Sequence, residues 1–262
     1  MTKIAEITSY LEQIAPLHLQ ESYDNAGLIV GNPNTIVTKV LVCLDSIEAV
    51  IDEAISIGAN MVIAHHPIIF SGLKTITGAS YIERTIIKAI KNDIAIYAIH
   101  TNLDNVYQNG VNEKICQKIG LNNCKILLPK MPDQDIGSGM IGELSEAMDT
   151  VKFLNHLKDA MSLNTVKYTD PIKSKVHKIA VCGGSGSFLT QEAINNGADV
   201  FISADYKYHQ FFDANNEMVI VDIGHYESEY YTIELIKELL TQNFTTFAAH
   251  CTTVDTNPVK YL

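Results

Sequence analysis

The chain has 262 residues, 47% hydrophobic and 19% charged, enough apolar material for one large domain or two lobes and too much for a disordered chain. A formal net charge of -11 argues against a nucleic-acid backbone or an anionic membrane as main partner, although a bound cation can reverse the local field for a nucleotide. Five cysteines without a CxxC spacing read as buried reduced thiols in preference to disulfides or a zinc knuckle.

Met1 to Ala15 carries Ile4, Ile7, Leu11 and Ile14 at helical spacing, which predicts an amphipathic helix ended by Pro16 and no secretory signal. No apolar run approaches the length of a membrane span, so the expectation is a soluble, cytoplasmic protein with no membrane partner. Glu21 to Gly31 is a turn-rich entry to a short strand. Lys39 to Leu44 reads as a strand, and Ile47 to Ile57 as a helix closed by Gly58. Met61 to His66 is an apolar run that stops at two adjacent histidines before Pro67, a buried strand with the pair at its C-terminal end. A helix over Tyr81 to Lys91 leads to the strand Ile94 to Ile99 and then to His100-Thr101-Asn102-Leu103-Asp104. Such alternation calls for an α/β sheet with parallel segments.

Lys130 to Leu144, rich in Gly, Pro and Asp, reads as a linker or exposed hairpin and as the lobe boundary, giving lobes 1–129 and 130–262. A helix over Thr150 to Met161 and a strand over Thr165 to Tyr168 follow. The second half then restates the first. Lys39–His66 aligns without gaps to Lys178–Asp205 with 10 identities in 28 positions, which implies one strand–helix–strand unit used twice. The echo continues: the strand Ile94–Ile99 precedes His100 with Asp104 four residues on, and the strand Met218–Ile223 precedes His225 with Glu229 four residues on. A helix over Tyr226 to Leu240 would place His225 and Glu229 on one face. Thr245 to Ala249 is an edge strand, and the Pro258-containing end is loose.

Open α/β sheets bind ligands beyond the carboxyl ends of their strands. Collected there are His65, His66, His100, Asp104, Asp205, His209, His225 and Glu229. Imidazoles with carboxylates suit borderline divalent ions such as Zn, Fe, Mn, Co or Ni. Adjacent histidines on an extended backbone point apart, which suits two metals, one each, better than chelation of one. His65, His66, Asp104, His225 and Glu229 suffice for two open sites if one acid bridges, and water activated there is a nucleophile at neutral pH. Plainer readings stand beside each residue. His65 and His66 could be loop histidines, His100 a satisfied core histidine, Asp205 a helix cap and His209 a surface residue. Gly183-Gly184-Ser185-Gly186 is not a P-loop and fits a close-packing turn better than a phosphate cradle.

The segments YDNAGLIVG, AHHPIIF, HTNLD and GHYESE together resemble the GTP cyclohydrolase 1 type 2 family, the Nif-three-like dinuclear metal proteins, nearly end to end. The resemblance implies an α/β fold of two similar lobes from an internal repeat, with mixed sheets flanked by helices and a dinuclear metal site between the lobes. It also implies a toroidal homohexamer with metal pairs facing an inner cavity. Carried onto this chain, His66 and Asp104 hold one metal, His65 and His225 the other, and Glu229 bridges them. His100 lies close by as the candidate catalytic residue, with Asn25, Asp205 and His209 as candidate substrate contacts. The inserted domain of some longer relatives is absent here, where only Lys130–Leu144 stands. The function expected is a hydrolase with two divalent ions per chain that acts on a small molecule, a nucleotide or related heterocycle. The alternative is a non-catalytic metal-binding, storage or scaffold protein forming a ring. A known dimetal phosphoesterase class fits less well, since no DHH triplet with a later DxD is present.

Overall fold

Strand and helix alternate along the chain in the computed structural model, which describes residues 1–131 and 135–262. They gather into two compact units, Met1–Leu103 with Thr232–Pro258, and Asp104–Tyr231 with Val259–Leu262. This division differs from a cut at 129/130, because a late segment returns to pair with an early strand.

In the first unit α1 (Ile4–Ile14) buries Ile4, Ile7 and Leu11 and stops ahead of Pro16, whose ring cannot continue it. The sheet runs β1 (Gly27–Val30), β4 (Ala95–Ala98), β3 (Met61–His66), β2 (Lys39–Asp45), β11 (Ala248–Cys251). Only β1 is antiparallel to its neighbour; the other pairings are parallel. The β2 and β3 side chains are almost all buried, as parallel strands covered on both faces require. Helices α2 (Glu48–Ile57) and α3 (Tyr81–Lys91) pack Val50, Ile51, Ala54, Ile86 and Ala89 onto Leu41, Val62 and Ile96. Each large aliphatic side chain so buried contributes about 1.5–3 kcal/mol. The short α4 (Thr101–Asp104) follows β4 directly. Helix α9 (Thr232–Asn243) precedes β11, the expected edge strand, which forms at Ala248–Cys251 instead of Thr245–Ala249. The stretch beyond β11 is not loose: Glu53 accepts hydrogen bonds from Thr252 Oγ1, Thr253 N and Thr253 Oγ1.

The second unit holds α5 (Val111–Ile119), β5 (Asn122–Pro129), β6 (Gly137–Asp149), α6 (Thr150–Ala160), β7 (Lys167–Tyr168), β8 (Lys175–Ser185), α7 (Thr190–Asn195), β9 (Val200–Ala204), β10 (Val219–Asp222) and α8 (His225–Glu229). Its sheet order is β5-β6-β8-β9-β10-β7, with β8, β9 and β10 parallel and the remainder antiparallel. Leu127, Ile141, Ala180, Leu189, Phe201 and Ile220 form its core. Both sheets are therefore mixed and flanked by helices.

The sequence repeat is a structural repeat, down to strand register. Val40, Leu41 and Val42 pair with Met61, Val62 and Ile63, and their aligned counterparts Ile179, Ala180 and Val181 pair with Val200, Phe201 and Ile202. Gly58 and Gly197, aligned in the repeat, both adopt the left-handed conformation, with φ of 72° and 71°. The repeat extends past the aligned stretch, since β1-β4-β3-β2 and β7-β10-β9-β8 share one arrangement of three parallel strands and one antiparallel edge.

The reading of Lys130–Leu144 as a linker requires correction. Residues 132–134 lie outside the described residues, and Gly137–Leu144 belongs to β6, an inner strand. It does form a hairpin with β5, in which Gly137–Leu144 is largely buried and the β5 half largely exposed. The predicted helix Tyr226–Leu240 is two helices, α8 and α9, one in each unit. All five cysteines are free thiols, with Cys43, Cys116 and Cys182 buried. Among the described residues no helix is long and apolar enough to cross a membrane.

Candidate metal centre

Three imidazoles of the first unit meet where β3 and β4 end. The ring of His65 lies 5.0 Å from that of His66, and His100 lies 5.3 Å from both, centroid to centroid. Each offers a nitrogen within 4.8 Å of the other two, so this trio could hold a metal ion. The adjacent pair splays as an extended backbone predicts, each ring anchored on a different neighbouring strand. His65, fully buried, places Nδ1 2.8 Å from the Ile99 carbonyl just beyond β4. His66 places Nδ1 2.9 Å from Asp45 Oδ1, the last residue of β2 and its partner in the parallel register.

His100 is gripped from the turn before β1. Asp24 Oδ1 lies 2.8 Å from His100 Nδ1, while Oδ2 accepts from Thr101 N at 3.0 Å and from Thr101 Oγ1. Burial alone would raise the Asp24 pKa; the bonds from His100 and Thr101, with the His100 charge, outweigh it and pull the carboxyl down to about 2. Asn102 completes the grip, with Oδ1 accepting from His100 N at 2.9 Å and Nδ2 donating to Ala15 O at 2.7 Å. Asn25, a candidate substrate contact, donates its amide to the Ile69 carbonyl at 2.7 Å and so ties this turn to the segment after His66.

In the second unit His225 and Glu229 face each other across one turn of α8, Nε2 to Oε2, at 3.1 Å. His225 Nδ1 lies 2.7 Å from Asp205 Oδ2. Asp205 thus orients a histidine; it occupies the repeat position that His66 takes in the first half, with a left-handed φ of 59°. Burial disfavours charge on His225, but the Glu229 charge and the hydrogen bonds to Asp205 and Glu229 prevail, pushing its pKa up to about 11. The two carboxylates thus favour the charged form of this imidazole.

Gly183 and Gly184, expected in a close-packing turn, lie instead within β8, where its register against β9 shifts; the close packing is real, and the carboxylate against Gly184 is that of Glu229. A Cβ on Gly184 would stand 2.4 Å from Glu229 Oε1, and one on Gly183 3.5 Å from Glu229 Cγ. Gly184 N donates to Ser228 Oγ at 2.9 Å, and Ser228 Oγ donates in turn to the His225 carbonyl at 2.8 Å. Asn112 on α5 donates to the Asp104 carbonyl at 3.1 Å and accepts from Gly183 N at 2.9 Å, linking Asp104 to the end of β8. Burial, reinforced by the Asp104 and Glu229 charges, pushes the Cys182 thiol far up. His209 lies apart from this network, exposed on a 3-10 turn with its ring against Tyr208 and Phe212.

Sequence reasoning missed Asp24, Asp45, Asn102, Asn112 and Ser228. Asp45 had a signal: it ends the strand beside β3, level with His66. Asp24 lay within a motif segment but 76 residues from the ring it holds.

A family model described as Duf34/NIF3 (NGG1p interacting factor 3) matches residues 2–258. The chain is 37% identical over 239 residues to a Clostridium perfringens protein named GTP cyclohydrolase 1 type 2 homolog, covering 90% of each chain. A Campylobacter jejuni protein of the same name is 31% identical over 263 residues, covering 99% of each. Among solved structures, a Staphylococcus aureus hypothetical protein matches at 30% identity and a TM-score of 0.91 over 99% of both chains. A Bacillus cereus protein related to NIF3 matches at 27% identity and 0.90, covering 100% of this chain and 99% of that one.

Proposed function

Because this chain belongs to the Duf34/NIF3 (NGG1p interacting factor 3) family, we propose that it is a dinuclear metal-dependent hydrolase acting on a nucleotide or related heterocycle. His65, His66, Asp104, His225 and Glu229 would hold two divalent ions of the Zn, Fe, Mn, Co or Ni group, Glu229 serving both. The observation that carries this reading is the anchoring of every candidate imidazole through Nδ1. His65 is held by a carbonyl, His66, His100 and His225 by carboxylates. Metal-ligating histidines are oriented in this way, with the other ring nitrogen engaged by a carbonyl or carboxylate and Nε2 presented to the ion. The donor set, imidazole nitrogen with carboxylate oxygen, fits such ions.

When bound, a metal pair polarises the substrate and lowers the pKa of water towards neutrality, so that hydrolysis proceeds near pH 7. The chain's own residues supply geometry. The Ile99 carbonyl, which only accepts, fixes hydrogen on His65 Nδ1. Asp24 orients His100 through Nδ1, which would leave Nε2 for substrate. Gly184, near the end of β8, makes room for the Glu229 carboxylate. The name shared by the relatives makes GTP the first substrate to test, with opening of its purine ring as the reaction. The protein would act in the cytoplasm as a toroidal homohexamer.

Protein with its native metal, incubated with GTP and a panel of nucleotides and phosphoesters, should turn over at least one nucleotide or heterocycle. Absence of turnover at stoichiometric protein, with metal occupancy confirmed, would remove the hydrolase and leave a metal-holding or scaffold assembly.

A further inference from the structure

The segment that follows β11 carries a side chain that reaches, through Asp45, one histidine of the trio that could hold a metal. Thr253 Oγ1 donates to Glu53 Oε1 at 2.6 Å, and Val254 N bonds back to Thr252 Oγ1 at 3.1 Å, so the segment is laced down onto α2. Three residues beyond Thr253, Thr256 is 8% exposed, and its Oγ1 donates to Asp45 Oδ2 at 2.9 Å. The other oxygen of that carboxylate takes His66 Nδ1, also at 2.9 Å. Thr256, Asp45 and His66 thus form a chain of hydrogen bonds that links residues 211 apart in sequence to the C-terminal end of β3.

We infer that Thr256 is a positioning residue for His66 as a metal ligand, acting through Asp45; this rests on the metal-centre reading above. A carboxylate that holds an imidazole through one oxygen can still rotate about its terminal torsion, a broad and soft one. Fixing the second oxygen with a hydroxyl holds the carboxylate plane, and the imidazole ring is held with it. Residues outside the ligand sphere that orient metal-bound histidines change affinity by about 10–100-fold when removed. Valine in place of Thr256 keeps the shape of the side chain, removes the donor and leaves Asp45 Oδ2 without it.

The lacing to Glu53 supplies a built-in control. Thr253→Val removes a hydrogen bond from the same segment without touching Asp45, so a merely structural role of the segment would make the two variants alike. The test strips the full chain of metal with a chelator and titrates it with cobalt(II), reading the visible absorption of the bound ion, with thermal unfolding followed in parallel. Thr256→Val is expected to weaken one of the two bound equivalents by about tenfold, the lower end of that range. Thr256→Ala should do the same, and Thr256→Ser should bind as the wild type does. Thr253→Val should lower the unfolding temperature and leave cobalt affinity unchanged. Unaltered cobalt binding in Thr256→Val, or an equal loss in Thr253→Val, overturns the positioning role while leaving the metal centre intact. A wild-type chain that takes up no cobalt overturns the metal-centre reading and this inference with it.

Discussion

Glu229→Gln is expected to strip metal from both positions, not from one. The carboxylate is 2% exposed and stands 3.1 Å from His225 Nε2, so the isosteric amide removes charge without removing volume. A side chain shared by two ions contributes to the affinity of each. Its loss should weaken binding by more than about a hundredfold, beyond the range for residues that only orient ligands. Elemental analysis after dialysis reads the result directly. Loss of a single ion would make Glu229 a terminal ligand and require another bridge. The same variant should bring the His225 pKa down from about 11, since the Glu229 charge is the largest influence raising it. An NMR titration of the imidazole in metal-free protein checks that direction.

Gly184→Ala should separate metal binding from stability. Gly184 sits at a φ of 63°, where a side chain costs roughly 1–2 kcal/mol. Its Cβ would stand 2.4 Å from Glu229 Oε1. That oxygen is the far end of a flexible side chain, so the clash is relieved by swinging the carboxylate out of place, at little further cost to the fold. Gly197, at a φ of 71° with nothing within 4 Å of its Cβ position, provides the comparison. Both alanine variants should lose about 1–2 kcal/mol in urea unfolding. Only Gly184→Ala should also lose metal affinity, by about tenfold or more. Equal metal binding in the two variants would mean that Gly184 does not set the position of Glu229.

What could be read from the sequence was what repeats or stays close along the chain. The duplicated strand–helix–strand unit foretold the shared register of β2–β3 and β8–β9, because the side chains that pair across strands recur at the same offsets. The spacing of four between His225 and Glu229 foretold their meeting, because one helical turn brings such positions together. The anchors of the histidines were hidden. Asp24 reaches His100 across 76 residues, and Asp45 reaches His66 across 21, distances over which only the assembled sheet brings groups together. The glycines of β6 misled for a related reason. Gly137 and Gly142 resemble linker residues, yet a Cβ on Gly137 would stand 2.3 Å from the Leu128 carbonyl oxygen, and one on Gly142 2.6 Å from Cys124 Sγ. Their role is close approach between paired strands, which composition alone does not distinguish from flexibility. The membership of residues 232–258 in the first unit was equally invisible, since it depends on the parallel pairing of β11 with β2.

Anomalous scattering from crystals of the protein purified without added metal would locate the ions directly. Two peaks roughly 3.5–4 Å apart are expected, ligated by His65, His66, Asp104, His225 and Glu229, with the absorption edge identifying the element. Peaks coordinated by other residues, or no peak after soaking in zinc, iron, manganese, cobalt and nickel in turn, would contradict a dinuclear centre built from these residues.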